Sequence, residues 1–152
     1  MLQRTVEYAL RTVVWMAREP GRVQTSQEIA EGTQVPPRYL YRVLQKLAKG
    51  GLLSSQPGPG GGYTLAGDTD KSSLLDVVRA FGPVERIHTC PLGLRSHKEL
   101  CPLHQHLDDA YANLEEVLAR VSVSEVARAP SLYPSLVEAK KLPRKRRRTR
   151  RT

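Results

Sequence analysis

Six side chains able to hold a metal or carry redox chemistry fall within nineteen residues: His88, Cys90, His97, Cys101, His104 and His106. The chain has no other cysteine or histidine. Thiolate and imidazole ligands suit zinc and iron–sulfur iron alike. Two thiols can also work as a redox pair. Cys101 and His104 are spaced for neighbouring turns of one helix face. A lone structural disulfide would be out of pattern in a cytosolic chain. The window therefore points to metal, cofactor or thiol chemistry, set against two free thiols among surface histidines.

Several elements must position this window. It contains Pro91 and Gly93 and reads as a loop. Before it, residues 72–81 (SSLLDVVRAF) predict a helix with Ser73 and Asp76 as a capping pair. After it, apolar residues fall at Leu103, Leu107, Ala110, Leu114, Val117 and Val121. The alternating steps of four and three make a heptad seam. Such a seam beside so small a domain predicts a helix that packs on a copy of itself. A short amphipathic piece, Ser124 to Ala127, follows.

Upstream, Val6, Leu10, Val13, Val14 and Ala17 mark one face of a first helix that ends at Pro20-Gly21. Thr25 and Glu28 have capping-box spacing and open a second, short helix, expected to stop at Gly32. Pro36-Pro37 starts a third, with Leu40, Val43, Leu44 and Leu47 as its buried stripe and Gly50-Gly51 as its end. Two short helices across a tight turn make a helix-turn-helix. Leu52-Leu53-Ser54-Ser55 and Tyr63-Thr64-Leu65-Ala66 then flank a glycine-rich turn and predict a hairpin. That turn lacks the Lys-Ser/Thr of a phosphate-binding loop. The expected fold is mostly α with a small β-hairpin wing: a winged helix-turn-helix domain plus a long C-terminal dimerisation helix. The expected divisions are 1–83 for the DNA-binding domain, 84–102 for the Cys/His loop, 103–128 for the dimerisation region and 129–152 for a disordered basic tail.

The net charge of +9 sits in the tail, because residues 140–152 hold nine Lys and Arg and no acid. The remaining 24 − 9 = 15 basic residues balance 15 acidic ones. Within that neutral part, residues 32–67 carry Arg38, Arg42, Lys46 and Lys49 and no carboxylate. The third helix turns Arg38, Tyr41, Arg42, Gln45 and Lys49 away from its apolar stripe, giving a basic, carboxylate-free face suited to DNA. No apolar run approaches the roughly 20 residues of a membrane span, and the start does not read as a signal peptide. A cytoplasmic protein without a membrane partner is expected.

The order of elements, Tyr39-Leu40 with Leu44 and Leu47, the stretch GLLSSQPGPGGGYTLA (51–66) and the Cys-x-x-His at 101–104 resemble the IscR/NsrR/CymR family of bacterial transcriptional regulators. The resemblance covers about residues 1–128. It implies a homodimer whose winged helices enter the major grooves of a palindromic DNA operator. On matching positions, Arg38, Tyr39, Tyr41 and Arg42 begin the reading helix. The wing, with Gly58, Gly60, Gly61 and Gly62, lies beside the minor groove. Gln45, Lys46 and Lys49 complete the expected DNA contacts. Some members hold an iron–sulfur cluster through cysteines before the long helix. Here Cys90, Cys101 and His104 match that pattern, as does Glu7 in the first helix, which would come from the partner subunit. The middle cysteine of the pattern is missing, the loop is one residue shorter, and His97 stands near that place.

A DNA-binding regulator follows, acting as a repressor and sensing redox, nitric oxide or iron–sulfur status through a [2Fe–2S] cluster. The alternatives are a cofactor-free winged-helix regulator, and an enzyme with a Cys/His metal centre. For the enzyme the sequence offers neither a carboxylate pair nor a nucleophile motif.

Overall fold

A computed structural model of the protein describes residues 3–130 and Leu136. Apart from Ala129, Pro130 and Leu136, the expected tail lies outside the described residues. Helix α1 (Arg4–Met16) is the central post, touching every other helix of the amino-terminal domain. It buries Val6, Ala9, Val13, Val14 and Met16. Helix α2 (Ser26–Thr33) opens with the expected capping box: Thr25 N–H donates to the Glu28 carboxylate at 2.8 Å, and Glu28 N–H donates to Thr25 Oγ1 at 3.2 Å.

Gly32 does not end that helix. The chain continues to Thr33, and Gln34 makes the left-handed exit at φ 56°. Its side-chain amide donates back to the open Glu31 carbonyl at 2.5 Å. Gly32 serves a different need, close approach. A Cβ there would lie 2.2 Å from the Trp15 indole.

Helix α3 (Pro37–Lys49) begins with proline at its first position and buries Leu40, Val43, Leu44 and Leu47. The hairpin follows as β1 (Leu53–Gln56) and β2 (Gly62–Leu65), antiparallel, with Leu53 opposite Leu65 and Gln56 opposite Gly62. Helix α4 (Leu74–Arg79) carries the second capping box, between Ser73 and Asp76. After an irregular stretch, α5 (Pro102–Arg120) runs nineteen residues, and α6 (Val123–Arg128) closes the described fold.

Apolar residues gather in two clusters. The main core joins α1, α2, α3 and β1, and it also takes Val123 of α6. Backbone bonds on either side seat that turn: Leu74 N–H donates to Val121 O at 3.0 Å and Val123 N–H to Ser72 O at 2.8 Å. The end of the region expected to serve dimerisation thus folds back into its own domain. A smaller satellite cluster of Val6, Leu75, Val78 and Leu118 fastens α5 to the head. Each such side chain fully buried contributes about 1.5–3 kcal/mol.

Candidate nucleic-acid interface and Cys/His loop

The apolar stripe of α3 decides which side chains look outward. With Leu40, Val43, Leu44 and Leu47 sealed in the core, Arg38, Tyr41, Arg42, Gln45 and Lys49 are exposed on the opposite side. Tyr41 is 61 % exposed, and its hydroxyl accepts from the Gln45 amide at 2.8 Å. Tyr39 and Lys46 take the flank instead. Tyr39 stacks beside Tyr8 at 5.9 Å between centroids, with the Arg38 guanidinium 4.7 Å over its ring. The Lys46 ammonium lies 5.2 Å over Phe81.

Among the described residues, ion pairs engage Arg11, Arg22, Lys71, Arg79, Arg86, Arg120 and Arg128. No carboxylate among the described residues forms an ion pair with Arg38, Arg42, Lys46 or Lys49. Cations left without acidic neighbours on one helix face form an electrostatic footprint for phosphate.

The wing stands beside this helix. Gly58 and Gly60 adopt φ 89° and 73°, and the turn closes through Gly61 N–H to Gly58 O at 3.0 Å. A Cβ at Gly61 would meet Gln56 O at 2.1 Å, and one at Gly62 would meet Gln24 O at 2.3 Å. Gln24 is the anchor that sequence reading missed. Its N–H and C=O both pair with Tyr63 at 2.8 Å, making a third, one-residue strand. Its buried side chain accepts from the Trp15 indole at 3.1 Å. An isolated polar residue before a cap carries no pattern that would have marked it.

The Cys/His window is held at both ends. Cys101 stands at the N-cap of α5 and Pro102 at its first turn, which brings Cys101 Sγ to 3.3 Å from His104 Nδ1. Cys90 and Cys101 are half-buried free thiols. Cys90 opens a turn closed by Gly93 N–H at 3.0 Å, and His97 Nδ1 is buried without a hydrogen-bond partner. Glu7 pairs with Arg11 at 2.5 Å on α1.

A [2Fe–2S] cluster needs four protein ligands. Among the described residues no group of three or more Cys, His, Asp or Glu converges on a common point. Cys101 and His104 are together; Cys90, His97 and Glu7 do not join them. The residues of one chain in this conformation therefore do not assemble the expected ligand set.

What the loop does have is a clamp that sequence reading also missed. Arg86 grips Asp108 of α5 through two bonds, 2.7 and 2.6 Å, and Ile87 N–H donates to the same carboxylate at 2.8 Å. These bonds hold the Asp108 carboxyl well below its ordinary range, at about 2. Because the folded value is lowered, the clamp contributes in full above about pH 4 and is lost as pH falls towards 2. Asp108→Asn should flatten thermal stability between about pH 4 and 2 relative to the wild type, measured by calorimetry. Parallel curves for the two proteins would show that the clamp does not contribute.

The sequence profile of the Rrf2 family, described as iron-dependent transcriptional regulators, matches residues 2–129. The chain belongs to the Rrf2 family. An rrf2-like HTH-type transcriptional regulator of Rhodobacter capsulatus is 30 % identical over 137 residues, covering 87 % of this chain and 88 % of that one. An HTH-type regulator of Aquifex aeolicus is 26 % identical over 126 residues, covering 80 % and 88 %. Among solved structures, CymR, the global cysteine regulator of B. subtilis, superposes with a TM-score of 0.73 at 20 % identity, covering 86 % of this chain and 98 % of that one. IscR of T. potens does so at 0.65 and 21 %, covering 82 % and 84 %. This Rrf2 chain has the winged-helix fold of those structures and is a DNA-binding transcription regulator rather than an enzyme. No helix among its described residues is long and apolar enough to cross a membrane.

Proposed function

We propose that this Rrf2 protein is a homodimeric repressor that reads a palindromic operator with α3 and steadies itself with the wing. The observation that carries the reading is the outward face of α3, where exposed cations have no carboxylate among the described residues to neutralise them. Arg and Lys at such a face hold phosphates, while Arg38, Tyr41 or Arg42 near the helix start would reach base edges. The wing glycines from Gly58 to Gly62 would follow the adjacent backbone.

Dimerisation is supported by α5. Leu103, Leu107, Ala110 and Val117 of the heptad seam are exposed along one side of it, whereas Leu118 and half-buried Leu114 pack on the head. A repeating apolar stripe facing water is stabilised by a second copy. Two coupled half-sites then multiply affinity. Leu107→Glu should convert the dimer to monomer in sedimentation and lower affinity for a two-half-site operator at least tenfold. A wild-type monomer, or a mutant dimer with unchanged affinity, would refute this part.

The sensing element we assign to the Cys/His loop. Cys101 and His104 are the donors already in contact. Cys90, His97 and Glu7 of a second copy are those a [2Fe–2S] cluster would recruit by rearrangement. Anaerobic purification with iron and sulfide assays tests this: visible absorbance should vanish in Cys90→Ala and Cys101→Ala. Colourless, iron-free wild-type protein would leave a regulator without a cluster.

A further inference from the structure

The satellite cluster that fastens α5 to the reading head is incompletely filled. A cavity of about 200 Å³ lies within it, where the start of α1, the end of α4 and the middle of α5 meet. Its lining is mixed: Val6, Val78, Phe81 and Leu114 are apolar, while Gln3, Glu85 and Tyr111 bring polar groups. An engineered apolar cavity of ~150 Å³ holds benzene, so a space of this size has room for one ring and a short substituent.

One charged residue lines the cavity, the exposed Glu85. Its neighbour Arg86 is committed to Asp108, and no ion pair among the described residues engages the Glu85 carboxylate. A pocket with an apolar wall for a ring and a single free carboxylate favours a ring that carries a positive charge.

We propose that this cavity is a binding site for a small monocyclic primary amine, its ring against Phe81 and Val78 and its ammonium on Glu85. The location gives such a ligand leverage. Phe81 is a shared wall: it lines the cavity, and Lys46 of α3 lies 5.2 Å over its ring. Gly82, at φ 136°, follows as the first residue of the connection to the Cys/His loop. An occupant would therefore touch the joint between α5 and the reading head, at the start of the Cys/His loop but away from its cysteines and from the DNA face.

Isothermal titration of the full chain with benzylamine, benzyl alcohol and benzoate tests the assignment without DNA, so its outcome is independent of the operator reading. Benzylamine should bind at least tenfold more tightly than benzoate. Glu85→Gln should erase that preference while leaving benzyl alcohol binding unchanged. Val84→Phe, which fills the cavity from its wall, should abolish binding of all three. Absence of benzylamine binding at 10 mM would overturn the proposal. So would a preference that survives Glu85→Gln, or undiminished binding to a folded Val84→Phe protein. If Val84→Phe fails to fold, the Glu85→Gln comparison decides alone, since that exposed, isosteric change leaves packing intact.

Discussion

Arg42→Ala is expected to weaken binding to the cognate operator by about 1–3 kcal/mol, roughly 5- to 150-fold, with a much smaller loss on random DNA. Arg42 is exposed on the outward side of α3, free of ion pairs among the described residues. Its side chain makes no hydrogen bond or ion pair among the described residues, so stability should not change. A bidentate contact with a guanine edge would be lost on truncation, whereas a phosphate contact would be lost equally on every sequence. Lys49, at the far end of the helix, should show the second pattern on substitution. The measurement is a competition titration with operator and scrambled duplexes at fixed salt, since the phosphate contribution varies steeply with ionic strength. Equal losses for Arg42→Ala on both duplexes would demote Arg42 to a positioning contact.

The second large effect concerns stability and has an unusual sign. Glycine within a helix ordinarily costs about 0.5–1 kcal/mol relative to alanine. Gly32→Ala in α2 should nevertheless destabilise the protein by about 1–3 kcal/mol, the range for overpacking. The new methyl would fall 2.2 Å from the Trp15 ring. Trp15 cannot swing aside freely, because its indole N–H donates to Gln24, and Gln24 carries the wing strand through Tyr63. The melting temperature should fall by about 2–4 °C for each kcal/mol lost. Trp15 is the sole tryptophan, so its emission should report the disturbance directly. A melting temperature that holds or rises would show that α2 shifts without cost.

Periodicity and caps are local properties, and they carried most of the fold. The Thr25–Glu28 and Ser73–Asp76 boxes, the Leu40–Leu47 stripe and the glycine-rich turn all form as their spacing predicts. Gly32 was misjudged for a clear reason. A glycine near the end of a short apolar pattern reads as a stop, yet the residue it makes room for, Trp15, is seventeen positions away. The heptad seam was legible as a stripe. Its division was not: Leu114 turns partly to the head while Leu103, Leu107 and Val117 face out. That division follows from where α4 and α1 place the satellite cluster.

For the candidate site the same boundary holds. Residue types and spacing by themselves determined that α3 presents a basic face without carboxylates, because a helix stripe assigns both faces at once. They also determined that Cys101 and His104 can meet, because three residues of helix bring two side chains together. Only the tertiary structure decided that Cys90, His97 and Glu7 stay apart from that pair within one chain, that Gln24 pins the wing, and that Arg86 locks the loop onto Asp108. Those contacts join residues tens of positions apart. Their partners are chosen by how whole helices pack around α1, and such packing leaves no period in the sequence.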